Sequence, residues 1–258
     1  MKPLYVYRAD ARVRLDHAAL RISVPEGASD RWVPLRLISR VLSGEKVDWT
    51  LEALLACARQ GISVTFQDQD CRMIARCFGN PSERQELAQR LADLRFLPDW
   101  KNAYLAWVGQ MDRVAARSVA RRLRLDDYRS IAPADLRRMF DLAVRDLLAW
   151  PAWQVMRREL HGQLLALAHQ VLLDRGIDPE HSETRDLTLP STFAHILLWD
   201  FDLAVYRWIE QRVEAEGACA LPTRAEAVAF FERRGERTAS LAQSLVNRFH
   251  RWLVAVFP

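Results

Sequence analysis

Lysine is nearly absent from this chain: Lys2, Lys46 and Lys101 are the only ones among 37 basic residues, so the other 34 are arginines. Cysteine is scarce as well. Cys57, Cys71, Cys77 and Cys219 form no CxxC pair and have no histidine at zinc-finger spacing, which excludes a metal knuckle and leaves no disulfide framework to read. No apolar run approaches the ~18 to 20 residues that a bilayer span requires, and the opening MKPLYVYRADARVR carries charges where a secretory signal needs an apolar segment. The expectation is a cytoplasmic protein with no membrane partner. Internal repeats and low-complexity tracts are also lacking.

What the chain does have is apolar content. At 258 residues and 50% hydrophobic it can bury one generous core or two modest ones. The net charge is only +4, and a GC-rich genome enriches arginine everywhere, so the positions of the arginines carry more meaning than their number.

Period-two alternation predicts strands around Leu4 and Val6, Val13 and Leu15, and Leu20, Ile22 and Val24, the last closed by Pro25-Glu26-Gly27. Trp32-Val33-Pro34-Leu35 leads into a short apolar segment, Leu37, Ile38, Val41 and Leu42, ending at Gly44. Thr50 is placed to cap a helix with Leu51, Leu54, Leu55 and Ala58 as its apolar stripe and Gly61 as its stop. Ile62, Val64 and Phe66 form another alternating strand, Gln67–Asp70 a turn, and Met73-Ile74-Ala75 the hairpin partner. Asn80-Pro81-Ser82-Glu83 breaks this pattern, and from there the periodicity is helical: 82–96, 99–124, 133–149, 151–174, 191–215, 223–234 and 238–256. Pro133, Pro151, Pro190 and Pro222 fall at or near first turns, where a missing N–H costs nothing. The fold class expected is α+β: a small β-rich N-terminal domain with one helix (1–79), a helical linker (80–98) and an all-α C-terminal domain (99–258).

The ordered pieces LYVYRADARVRLDHAALRISV, VPLRLISRVLSG, WTLEALLACARQGISVTF and MIARCFG resemble the N-terminal domain of the CRISPR-associated spacer-acquisition integrase and endonuclease family, the first Cas protein of the adaptation module. Gly176-Ile177-Asp178-Pro179 after the 151–174 helix is similar to that family's glycine-leucine-aspartate-proline. LLWDFDLAVYRWIE is similar to its following helix, and the helical part is shorter than usual, by a deletion between 125 and 160. The resemblance implies metal-dependent cleavage and strand transfer on DNA, with Mg or Mn as cofactor if the centre is active. It also implies a homodimer through the strand-rich domain and CRISPR-type or mobile-element protein partners.

The family's ligand set is a glutamate, a histidine and one or two aspartates, and carboxylates on rigid elements suit divalent cations. Asp200 falls at the first aspartate and Glu159, in RRELHGQLL, is the candidate glutamate; both are assigned catalytic and metal-binding roles by resemblance alone. The set looks incomplete. The second aspartate position is Leu203, and Asp202 lies about 200° around the helix from Asp200. The histidine position is Pro190; His195 reads as a residue packing a helix start and His181 as a solvated loop residue. Asp200 also has a plain reading, a helix-surface carboxylate beside Trp199.

In MDRVAARSVARRLR, Arg113, Arg117, Arg121 and Arg124 recur at spacings of 4, 4 and 3, which aligns them on one helical face about 16 Å long. Met111, Ala115, Val119 and Leu123 line a different, apolar face. Guanidinium forks bind phosphate oxygens bidentately, so the stripe is assigned to DNA. Arg137, Arg138, Arg157 and Arg158 are candidates to extend it. The C-terminal ASLAQSLVNRFHRWLVAVFP mixes Arg248, His250 and Arg251 with Phe249, Trp252 and Phe257, which read as core or interface aromatics ahead of a DNA-stacking role. Two functions follow: a DNA-binding relative of the integrase with reduced or lost catalysis and a structural or accessory role, or a helical protein-interaction subunit with no direct DNA contact.

Overall fold

The computed structural model describes residues 2–24, 29–78, 85–94, 96–177, 182–184 and 186–256. The turn at Pro25–Gly27, the break at Asn80–Glu83, Asp178-Pro179, His181 and Phe257 lie outside them. The chain divides into two compact units, Met1–Ala88 with His169–Glu180, and Gln89–Ala168 with His181–Pro258.

In the first unit, β1 (Lys2–Val6), β5 (Ile38–Gly44), β7 (Val64–Gln67) and β8 (Met73–Cys77) form a sheet in the order β1-β5-β7-β8. The first three are parallel, and β8 returns antiparallel to β7. The short apolar segment ending at Gly44 is a central strand, and Ile38, Arg40, Val41, Leu42 and Ser43 are buried on both of its faces. A second sheet orders β4 (Arg31–Pro34), β3 (Ala19–Ser23), β2 (Arg12–Asp16) and β6 (Asp48–Trp49). Leu4, Val6, Val13, Leu20, Val41, Ala53, Cys57 and Val64 share one apolar cluster drawn from both sheets and from helix α1 (Leu51–Arg59).

Thr50 caps α1, its Oγ1 accepting from the Ala53 amide at 3.4 Å, and Gly61 ends it at φ 68°, a left-handed position that suits glycine. The expected stripe is corrected. Ala53, Ala56 and Cys57 are buried, whereas Leu51 is 70% and Leu55 43% exposed. Small side chains let the helix lie close to the strands, so size outweighed hydrophobicity in choosing the inner face. Gln170 closes the unit from the far end of the sequence. Its Oε1 accepts from the Ser63 hydroxyl at 2.6 Å and the Ser63 amide at 3.2 Å, and its Nε2 donates to the Gly61 carbonyl at 3.2 Å.

The second unit is helical except for a short antiparallel ladder of Glu183–Thr184 with Leu187–Thr188, which corrects the all-α expectation. After α2 (Gln85–Leu94) come α3 (Trp100–Arg122), α4 (Pro133–Asp146), α5 (Trp150–Leu173), α6 (Leu189–Glu216), α7 (Arg224–Glu232) and α8 (Gly235–Val256), each within about three residues of its expected bounds. Thr223 and Glu226 form a reciprocal capping box at the start of α7, and Gly217 ends α6. Trp107 on α3 meets Phe249 of α8 at 5.1 Å and Phe193 of α6 at 6.2 Å between ring centroids, and Trp252 stacks on Phe249 at 5.6 Å. Phe249 is thus a core residue, with half-buried Trp252 packed on it.

Candidate functional site

Helix α3 buries Tyr104, Trp107, Met111, Ala116, Val119 and Ala120, which turns Arg113, Arg117 and Arg121 outward at four-residue intervals. Ala116 and Ala120, rather than the expected Ala115 and Leu123, occupy the inner face where α3 packs on α4 and α6. The three outer arginines are exposed, and none is in an ion pair among the described residues. Arg124 is a correction: α3 ends at Arg122, and Arg124 has a left-handed φ of 58°. The Arg124 amide bonds to the Arg121 carbonyl and the Leu125 amide reaches back to the Ala120 carbonyl, so Arg124 sits where a helix-ending glycine usually does and is not on the helical stripe.

Arg122, the last residue of α3, points the other way. Its Nη1 lies 2.9 Å from Asp200 Oδ1. Asp200, 7% exposed on α6, also accepts from Arg234 at 2.6 Å and from Arg237 at 2.9 Å, so three guanidinium groups surround one carboxylate. Burial alone would raise the Asp200 pKa; the hydrogen bonds from Arg237 and Arg234 and the charges of Arg234 and Arg122 outweigh it and hold the carboxyl below its usual range. Burial lowers the Arg122 pKa, opposed by Asp200.

Asp202, two residues on, points elsewhere, and Arg157 Nε donates to it at 2.7 Å. It is 2% exposed, and burial pushes its pKa up to about 6 against the opposing charge of Arg157. Glu159 on α5 is buried and paired with Arg224 at 3.2 Å. Asp200 and Glu159, expected as one centre, share no ion-pair partner among the described residues.

A further polar cluster was not anticipated. Arg137 Nη2 lies 2.9 Å from Asp112 Oδ1 and 2.7 Å from His195 Nε2, its guanidinium sits 4.6 Å over the Trp199 ring, and Trp199 Nε1 donates to the same Asp112 oxygen at 2.7 Å. A guanidinium only donates, so His195 Nε2 is the lone-pair nitrogen of a neutral ring. Desolvation first, then the Arg137 charge, keeps the His195 pKa below the ordinary histidine value. Asp112, His161, Ser191, Thr192 and His195 line a pocket of about 320 Å³. No local signal marks this cluster, because Arg137 lies 25 residues from Asp112 and 58 from His195.

Divalent cations take carboxylate and imidazole donors with free lone pairs. The Asp200 oxygens face three cationic donors, so Asp200 does not fit a metal ion as it stands, and Glu159 is paired with Arg224. Among the described residues no group of three or more His, Cys, Asp or Glu is arranged to hold one.

Residues 4–124 match the family model described as CRISPR associated protein Cas1. Among solved structures, the fold is similar to a CAS1 protein from Thermotoga maritima, at 11% identity and a TM-score of 0.72 over 98% of this chain and 97% of that one. It is also similar to TtCas1 in a DNA complex, at 16% identity and 0.65 over 100% and 91%, and to a casposase bound to its integration product, at 12% and 0.67 over 99% and 91%. At such identities the likeness speaks to fold. No curated protein matches the chain by sequence. The sequence match to the Cas1 model spans the strand-rich unit and α3, and the fold along the whole length is similar to that of Cas1 proteins and a casposase.

Proposed function

We propose that this protein binds DNA through the outer face of α3, with Arg113, Arg117 and Arg121 gripping backbone phosphates, and serves a structural or accessory role in spacer acquisition or a related mobile-element process. The observation that carries this reading is three exposed guanidinium groups at four-residue spacing with no acidic partner among the described residues. Two relatives of the same fold were solved with DNA or with an integration product, which supports nucleic acid as the ligand.

Catalysis at Asp200 and Glu159 is reduced or lost in this reading, because Asp200 is surrounded by three arginines and Glu159 is paired with Arg224. Dimerisation through the strand-rich unit, a cytoplasmic location and CRISPR-type or mobile-element protein partners belong to the same proposal. The test is a salt titration of duplex affinity: phosphate binding makes log affinity fall linearly with log salt, with a slope of about 0.9 per contact. Arg117→Glu with Arg121→Glu should flatten that slope. Nicking in the presence of Mg or Mn that disappears in both Asp200→Ala and Glu159→Ala would overturn the loss of catalysis.

Exposed Met139, Leu142 and Leu148 around α4 and its end favour a second reading, a docking surface for another protein. A salt-independent affinity for duplex DNA, or none, would favour it.

A further inference from the structure

We infer that the groove between the second half of α6 and the α7–α8 corner is a binding site for a nucleotide phosphomonoester, that is, a terminal phosphate carrying its base. The groove encloses about 570 Å³, within the ordinary range for small-molecule sites. Arg122, Arg207, Arg233 and Arg234 line it, and among the described residues no carboxylate does. Arg207 and Arg233 are exposed and in no ion pair among the described residues. Among the described residues Asp200 is the one carboxylate paired with Arg122, Arg234 and Arg237, so this cluster keeps two positive charges uncompensated.

The unused donors agree with the charge. The Nε atoms of Arg122 and Arg234 are buried with no hydrogen-bond partner among the described residues. A buried N–H left unpaired is costly, so these two guanidinium groups retain donor capacity beside the groove. The surplus matches a phosphomonoester, which carries about −1.5 to −2 at neutral pH, better than a singly charged backbone diester.

The remaining lining residues suit a base. Half-buried Trp208 lines the groove beside buried Phe230, ring centroids 6.4 Å apart, and offers aromatic surface for stacking, and the Gln211 amide has both a donor and an acceptor for a base edge. Arg212 lies 4.5 Å from the Trp208 ring and Arg233 5.6 Å from the Phe230 ring, which sets these aromatics among cations. The phosphomonoester has two sources, the 5′ end of a DNA strand or a free mononucleotide. The first source rests on the DNA-binding proposal above; the second does not.

The experiment uses the full chain and one labelled single-stranded oligonucleotide prepared with a 5′-phosphate or a 5′-hydroxyl, with dAMP and deoxyadenosine as competitors. The expected result is about tenfold tighter binding of the phosphorylated strand, equivalent to 1.4 kcal/mol, with dAMP competing and deoxyadenosine not. Competition by dAMP at micromolar concentration assigns the free nucleotide; competition only at millimolar concentration assigns the strand end. Arg207→Gln with Arg233→Gln should abolish the preference for phosphate while circular dichroism and affinity for a 5′-hydroxyl duplex stay as in the parent. Equal binding of the two strands, or a preference that survives the double substitution, overturns the inference. Equal losses on the phosphorylated strand and the hydroxyl duplex overturn it too, because the groove would then be general duplex surface. A parent protein that binds no duplex but distinguishes dAMP from deoxyadenosine sinks the proposed function and leaves the groove standing.

Discussion

Arg121 and Arg122 are adjacent on α3 and have opposite fates: the first is exposed without an acidic partner among the described residues, and the second is half-buried against Asp200. The contrast extends across the helical unit. An outer set, Arg113, Arg117 and Arg121, faces solvent, while an inner set, Arg122, Arg137, Arg157, Arg224 and Arg234, is tied to Asp200, Asp112, Asp202 and Glu159. One residue type thus serves a binding face and an internal lattice of charge, and a step of about 100° around a helix decides which. Arginine composition is uninformative for the same reason: both sets draw on the same 34 residues.

The sharpest way to break this comparison is to remove the acid at the centre of the inner set. Asp200→Ala strands three guanidinium groups and should cost about 3–5 kcal/mol in urea denaturation. Arg117→Ala should stay within about 0.5 kcal/mol of the parent, as befits an exposed side chain. Equal costs would erase the distinction between the sets. Reversing the outer charges with Arg117→Glu and Arg121→Glu should reduce duplex affinity by about a hundredfold at low salt and leave the urea midpoint unchanged.

Asp202 sharpens the comparison through pH. Its folded pKa, about 6, lies above the value of about 3.9 expected for an unfolded aspartate, so between pH 4 and 6 the folded state holds a proton that the unfolded state has released. Its contribution to stability is therefore complete below pH 4 and declines as pH rises to 6. Asp200, with a depressed pKa, contributes in the opposite sense: its stabilisation is present above the unfolded pKa and is lost as pH falls through the folded one. Asp202→Asn should remove the decline between pH 4 and 6, and a decline that persists would shift the cause to another group. The smallest effect expected lies outside both arginine sets: Thr50→Ala should cost about 1 kcal/mol through the lost cap of α1.

What the sequence made legible was local. Strand alternation, the Thr50 cap and the helix bounds depend on neighbours a few residues apart, and they hold in the structure. The outward turn of Arg113, Arg117 and Arg121 was legible for the same reason. Errors arose where sequence distance grew or where size competed with hydrophobicity. The parallel pairing of β1 with β5 has no local signal, because Leu4 meets Val41. The inner ion pairs join Asp200 to Arg234 and Glu159 to Arg224, 34 and 65 residues apart. Hydrophobicity alone favours Leu51 over Cys57 for the inner face of α1, and no glycine marks the end of α3 ahead of Arg124.

The three hydrogen bonds from Gln170 to Gly61 and Ser63 have a bearing on synthesis. The strand unit draws part of its own fabric from a stretch translated more than a hundred residues after Ser63, so the ribosome delivers its sheets well before the side chain that finishes them. Until then the Ser63 amide and hydroxyl wait without the acceptor they meet in the native state. A cut after residue 88 would make that wait permanent.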